Sequence, residues 1–273
     1  MTSKRLSRLT ALFLVLCMLF VTYVPVMADE EKAKARLEVQ EMLSPYFSEI
    51  VDTRNIAALD KTNEEANELS FVMNDGSKTV YVFSEPVKFL DENGELKSKD
   101  ISIVEQTDPA LSNLGYAYAN GENDYRINFS TNAAQGLKVT YNNVGYTIAP
   151  VLPSGASPEE GRPIQEEKDG EIIDVFSYPG AFGENTTLKY YPQFNGFKDD
   201  IVLTEYDGQN QFQFLLNTYG CYARVADDIY VQIVDSATDE VIQTFTPAFA
   251  YDAEGNEYSE DEHFTDDLSL IHI

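Results

Sequence analysis

From Phe71 onward, apolar and polar residues alternate in short runs, the pattern of strands with one face in a core and the other in solvent. Tyr125, Ile127 and Phe129 alternate with Arg126, Asn128 and Ser130. Leu137, Val139 and Tyr141 do the same, and the run resumes with Val144, Tyr146 and Ile148 after Asn142-Asn143. Asparagine tolerates the left-handed backbone that tight turns need, so this pair of runs predicts a hairpin. Further strands are expected over Lys78–Phe83, Pro86–Leu90, Thr187–Tyr191, Lys198–Glu205, Gln211–Asn217, Asp228–Val234 and Glu240–Phe245. Asp91-Glu92-Asn93-Gly94 should close one hairpin and Asp235–Asp239 another. Many short strands without βαβ alternation predict a mainly β, antiparallel sandwich rather than a parallel α/β fold.

Before the strands the periodicity differs. Val39, Leu43, Tyr46, Phe47 and Ile50 are spaced for one helical face, with Ser44-Pro45 restarting the helix. Asp52–Ser70 is polar and without a sustained period, so 29–70 is expected to be a helical and linker segment ahead of a β domain over 71–260. Leu152–Glu171 holds Pro153, Gly155, Pro158, Gly161 and Pro163 among acids, which predicts a mobile surface loop between halves near 71–150 and 172–251. Whether the halves share one core or form two is left open by the pattern.

The amino end changes the picture from fold to location. Lys4, Arg5 and Arg8 precede an apolar run from Leu9 to Tyr23, then Pro25 and Val26-Met27-Ala28, the three parts of a secretory signal. Cleavage after Ala28 and a secreted or wall-associated mature chain are expected, with no membrane association once the signal is removed. Cys17 follows Leu16 in the middle of the apolar run, where a lipidation site would want a small residue. Removing 28 residues sheds three of the 19 Lys and Arg and none of the 46 Asp and Glu, leaving 245 residues with a formal charge of −30. Such a chain repels phosphates and anionic bilayers, which argues against nucleic-acid and membrane partners.

Candidate chemistry is sparse. Cys221, the cysteine outside the signal, has no histidine near it in sequence and reads as a small buried apolar residue. His263 lies in a charged turn, Asp261-Glu262-His263-Phe264, and His272 is next to last in the chain. Asp91, Asn93 and Glu95 have the spacing of oxygen ligands for calcium, but a hairpin turn accounts for the same residues. No HExxH, CxxC, Walker or GxSxG motif occurs, so no catalytic, metal or cofactor residue is assigned and no cofactor is expected. A carboxylate-based glycoside hydrolase is a further alternative, but with 46 acids the presence of a carboxylate pair carries almost no signal, and no acid stands in an aromatic context that would raise its pKa. The 17 tyrosines and 16 phenylalanines offer a second reading, a glycan-binding module with exposed rings, although most of them fall at core-facing positions and tryptophan is absent.

Several segments in order carry a likeness. "SEPVKFLDENGELKSKDIS", "NLGYAYANGENDYRINFS", "GLKVTYNNVGYTIAP", "TLKYYPQFNGFKDDIVL" and "TFTPAFAYDAEGNEYS" resemble the amino-terminal region of large secreted Gram-positive proteins, of the wall-associated RHS or YD-repeat type and those with DNRLRE domains. The likeness covers about residues 68–259. It implies a non-enzymatic leading domain of a long modular surface protein, whose partners are its own downstream domains and a cell-wall or extracellular glycan or protein. Tyr206-Asp207 and Tyr251-Asp252 contain the YD dipeptide, but as two isolated copies they predict hairpin turns rather than an array. Residues 261–273 form a tail, and Ser269–Ile273 resembles translated adapter sequence, so the chain is expected to be truncated there.

Overall fold

The computed structural model describes residues 55–258, apart from 61, 63–64, 169–170, 206–207, 228–229 and 253–256. The signal with its cleavage position at Ala28, the helix expected before residue 52, His263, His272 and the tail lie outside the described residues. The chain divides into two compact units, 1–84 and 85–273, so the boundary falls beyond the expected 70/71 junction.

In the first unit, β1 (Ile56–Leu59), β2 (Glu68–Met73) and β3 (Lys78–Val82) form an antiparallel sheet in that order. Two of these correct the linker expected over 52–70. The four residues of β1 are too few for a period to show, and two of them are alanine. Asp75 builds the turn between β2 and β3, accepting from the Ser77 backbone N–H at 2.9 Å and hydroxyl at 2.6 Å, while Gly76 takes φ +81°. Leu69 and Phe71 are buried, and Phe71 meets Tyr81 edge to face at 5.7 Å. Lys78 and Thr62 both bond the Asp60 carboxylate and hold its pKa down to about 2.

The second unit opens with the hairpin β4 (Lys88–Leu90) and β5 (Leu96–Ser98). Six strands then share one sheet. They are β6 (Ile103–Glu105), β7 (Tyr116–Asn120), β8 (Tyr125–Ser130), β9 (Leu137–Tyr141), β10 (Val144–Pro150) and, much later in the chain, β15 (Phe214–Tyr219), which lies beside β10. Short helix α1 (Pro109–Asn113), capped by the Asp108 side chain, leads into β7. A second sheet of four strands runs in sequence order: β11 (Arg162–Lys168), β12 (Glu171–Pro179), β13 (Thr186–Gln193) and β14 (Gly196–Leu203). Strands β16 (Cys221–Ala226), β17 (Tyr230–Asp235) and β18 (Val241–Phe245) make a third sheet, and β19 (Ala250–Tyr251) pairs with β20 (Glu257–Tyr258). Every pairing is antiparallel, and the fold is mainly β.

The alternation written in the sequence fills the space between the sheets. Tyr125, Ile127 and Phe129 on β8, Leu137 and Val139 on β9, and Tyr146 and Ile148 on β10 face Phe176, Tyr178, Leu188 and Tyr190 of the four-stranded sheet. Phe129 stacks on Phe176 at 4.7 Å, and Tyr178 stands edge-on to Tyr190 at 6.1 Å. Ile233 and Phe245 join the same cluster, with Phe245 edge-on to Tyr146 at 5.8 Å. The unit is thus an antiparallel sandwich in which residues of both expected halves share one core.

One further expectation is corrected. Residues 162–168, taken as part of a mobile loop, form β11, paired with β12 from Arg162↔Ser177 to Lys168↔Glu171. Tyr206-Asp207, expected to form a turn, lies outside the described residues. At Tyr251-Asp252 the chain does turn back, from β19 into β20.

Candidate functional site

The residues singled out in the sequence resolve into structural roles. Asp91 Oδ1 accepts from the backbone N–H of Asn93 at 2.8 Å and of Glu95 at 2.9 Å, and its other oxygen pairs with Lys97 at 3.1 Å. These bonds, the one from Glu95 foremost, lower the pKa of Asp91. With Gly94 at φ +77°, they account for the loop as a hairpin turn. Cys221 is buried in the sandwich core, donates its thiol to the Gly145 carbonyl at 2.9 Å, and has its pKa raised by burial.

A different group of residues surrounds a cavity of about 620 Å³, within the range of small-ligand sites. It lies where the hairpin end of β9 and β10 meets the turn between β13 and β14 and the start of β18. Tyr125 and Tyr141 are cross-strand partners on the inner face, and the alternation that packs Ile127 and Val139 one step further along brings them here. The Tyr125 hydroxyl donates to the Gly196 carbonyl at 2.7 Å, tying the two sheets together at this end, and burial raises its pKa. Tyr146 donates to Gln243 Oε1, so the first turn of β18 is fixed to the six-stranded sheet in the same way.

One lysine organises the opposite wall. Lys99, after β5, has a side chain only 2 % exposed; its ammonium pairs with the Asp124 carboxylate at 2.8 Å and donates to the Phe194 carbonyl at 2.9 Å and to Asn195 Oδ1 at 3.4 Å. Its charge is therefore spent inside the wall. Glu240, exposed at the start of β18, has no cationic partner among the described residues and only the Thr238 hydroxyl nearby, at 3.4 Å. The Tyr141 hydroxyl has no hydrogen-bond partner among the described residues, and its pKa is raised by burial and then by the carboxylates of Asp124 and Glu240. The cavity thus combines a half-buried ring with an unbonded hydroxyl, side-chain amides and one uncompensated carboxylate.

An acid in an aromatic setting does exist, contrary to the sequence reading. Asp199 is the register partner of buried Tyr190 and stands between Phe197 and Ile201 on the inner face of β14. Burial, with the adjacent Asp200 carboxylate, pushes its pKa up to about 7. The signal was present in the sequence, since Asp199 occupies the inward position of the alternating run Phe197, Asp199, Ile201. Asp199 is not among the residues that line the cavity. The cavity itself carried no sequence signal, because its walls come from positions 99, 124–125, 141–146, 195–196 and 240–243.

Most aromatic rings are core, as the sequence indicated, and exposed Tyr219 and Tyr222 are already engaged. Lys138 lies over the Tyr219 ring at 5.2 Å, and the Tyr222 hydroxyl donates to Asp239 at 2.6 Å. No family model, curated protein or solved structure matches the chain.

Proposed function

We propose that the chain is an exported, non-enzymatic β-sandwich module, the leading domain of a larger cell-surface or secreted protein. The observation that carries this reading is the ring-packed sandwich core, shared by both strand-rich halves, in a chain with a signal-like amino end. The resemblance to the leading region of RHS-type and DNRLRE proteins supports it. Expression with its own signal in a Gram-positive host, followed by fractionation, tests it. A mature chain beginning at Asp29 in the medium or wall fraction is expected. Uncleaved protein kept in the cytoplasm would defeat the export claim. Hydrolysis of a wall polysaccharide, abolished by one Asp or Glu substitution, would defeat the non-enzymatic one.

The cavity favours glycan binding as the module's own activity. An accessible ring with carboxylate and amide groups beside it is the combination that receives the apolar face and hydroxyls of a sugar. Hydrolysis is less well supported, because a glycosidase sets a raised acid and a second carboxylate in one cleft. Here the raised acid, Asp199, faces the core and Asp124 is paired with Lys99.

A further inference from the structure

We propose that the cavity beneath the β9–β10 hairpin takes a saccharide bearing a free ammonium group, an amino sugar, with Tyr141 and Glu240 as the residues that hold the cation. The proposal rests on the glycan reading above and names the class of sugar.

The charges at the site decide the class. An acidic sugar needs a cation free to meet it, and the buried ammonium of Lys99 is already paired with the Asp124 carboxylate and bonded to Phe194 and Asn195. Drawing Lys99 toward a ligand would strip a buried ammonium of those partners. A neutral sugar can donate hydroxyls to the exposed Glu240 carboxylate but leaves its charge unbalanced. An ammonium group reverses that balance. It finds an uncompensated carboxylate in Glu240, the negative face of the Tyr141 ring, and the oxygen of the Tyr141 hydroxyl as an acceptor. The formal charge of −30 on the mature chain draws cations toward every part of the surface, and here a cavity and an unbonded tyrosine accompany the carboxylate. Of the remaining polar groups, Asn195 is held by Lys99 and Glu85, while Gln243, whose Oε1 accepts from Tyr146, turns its NH2 to the hydroxyls of the sugar ring.

The test is titration calorimetry on the mature chain, in mildly acidic buffer at physiological salt, with a glucosamine tetramer, its fully N-acetylated counterpart, a neutral glucose tetramer and spermine. The glucosamine tetramer should bind, and the N-acetylated form about tenfold or more weaker, the equivalent of about 1.4 kcal/mol. Glu240→Gln should weaken the glucosamine tetramer by a similar factor, and Glu167→Gln, on the edge of the other sheet, should not. Tyr141→Phe keeps the ring and should retain most of the affinity, whereas Tyr141→Ala should lose it, with circular dichroism confirming that both remain folded. Equal binding of the acetylated or neutral tetramer would overturn the amino-sugar assignment and leave the glycan reading standing. Spermine binding as tightly as the tetramer would show a site for ammonium groups at large and overturn the sugar. Equal loss in the Glu167 variant would reduce the effect to net charge. Binding of no saccharide would remove both readings.

Discussion

Lys99 and Asp199 are both ionisable groups turned toward the interior, and they resolve that cost in opposite ways. Lys99 sits among three oxygens, the Asp124 carboxylate, the Phe194 carbonyl and Asn195 Oδ1. Replacing it with methionine would leave Asp124 and the Phe194 carbonyl without their donor, so Lys99→Met should lower stability by about 2–3 kcal/mol in urea unfolding. Adding Asp124→Asn should recover part of the loss, and a strictly additive double variant would show that the pair is not coupled. Asp199 has no cation on its face and holds its proton to about pH 7, whereas an unfolded aspartate releases it near 3.8. Between those values the unfolded chain is ionised at this position and the folded chain is not. The contribution of Asp199 to stability is therefore full below about pH 4 and is lost as the pH rises to about 7. Asp60 works the other way, its depressed pKa favouring the fold above about pH 4. The difference between wild type and Asp199→Asn isolates the first effect: the variant should be more stable near neutral pH, by about 1–3 kcal/mol, with the gap closing toward pH 4. A gap that does not change with pH would mean that Asp199 is charged in the folded protein. Nothing in the residue types near Lys99 announces its role, because its acceptors lie 25 and about 95 positions further along the chain.

At the scale of elements, what could be read early was what the chain decides locally. The β9–β10 hairpin follows from Asn142, which takes φ +52° and allows Tyr141 and Val144 to pair across two residues. Asn142→Gly should leave the unfolding midpoint nearly unchanged, while Asn142→Val should cost about 1–2 kcal/mol, since a branched side chain resists that backbone. Equal effects of the two would place the turn's stability elsewhere. Strand β11 escaped notice because most of its side chains are exposed, so its sequence carries charge and proline where a period would be sought. What makes it a strand is the backbone of β12, a partner that local pattern does not display. The outer strands also differ in how they discourage further pairing. β11 carries Arg162, Glu166, Glu167 and Lys168, and β14 carries Lys198, Asp199 and Asp200. β15, the edge of the six-stranded sheet, reads Phe-Leu-Leu-Asn-Thr-Tyr and presents Leu215 at 55 % exposure. An uncharged edge is where strands of other molecules add. Leu215→Lys should therefore reduce self-association measured by light scattering at high concentration without lowering the unfolding midpoint, and an unchanged scattering profile would clear β15 of that role.

For the whole molecule, the competition is between apolar burial, foremost the ring-packed core of the second unit, and a formal charge of −27 over 273 residues. Burial holds the sandwich together at short range, whereas repulsion among carboxylates acts over the Debye length, about 30 Å near 10 mM salt and about 3 Å near 1 M. Compact folding brings the acids closer than they stand in the open chain, so low salt should favour the unfolded state. Raising sodium chloride from about 10 mM to about 0.5 M should lift the thermal midpoint by roughly 2–6 °C, the equivalent of about 1–2 kcal/mol for a chain of this size. Most of that gain should come below about 0.2 M, where screening changes fastest, and potassium chloride should match sodium chloride. Calcium separates diffuse attraction from a built site. If the acids act only as a field, calcium chloride will stabilise smoothly and without saturation, as a more effective screen. A sharp rise that saturates at micromolar calcium would instead require a dedicated set of ligands, and the hairpin account of Asp91, Asn93 and Glu95 would have to give way to it.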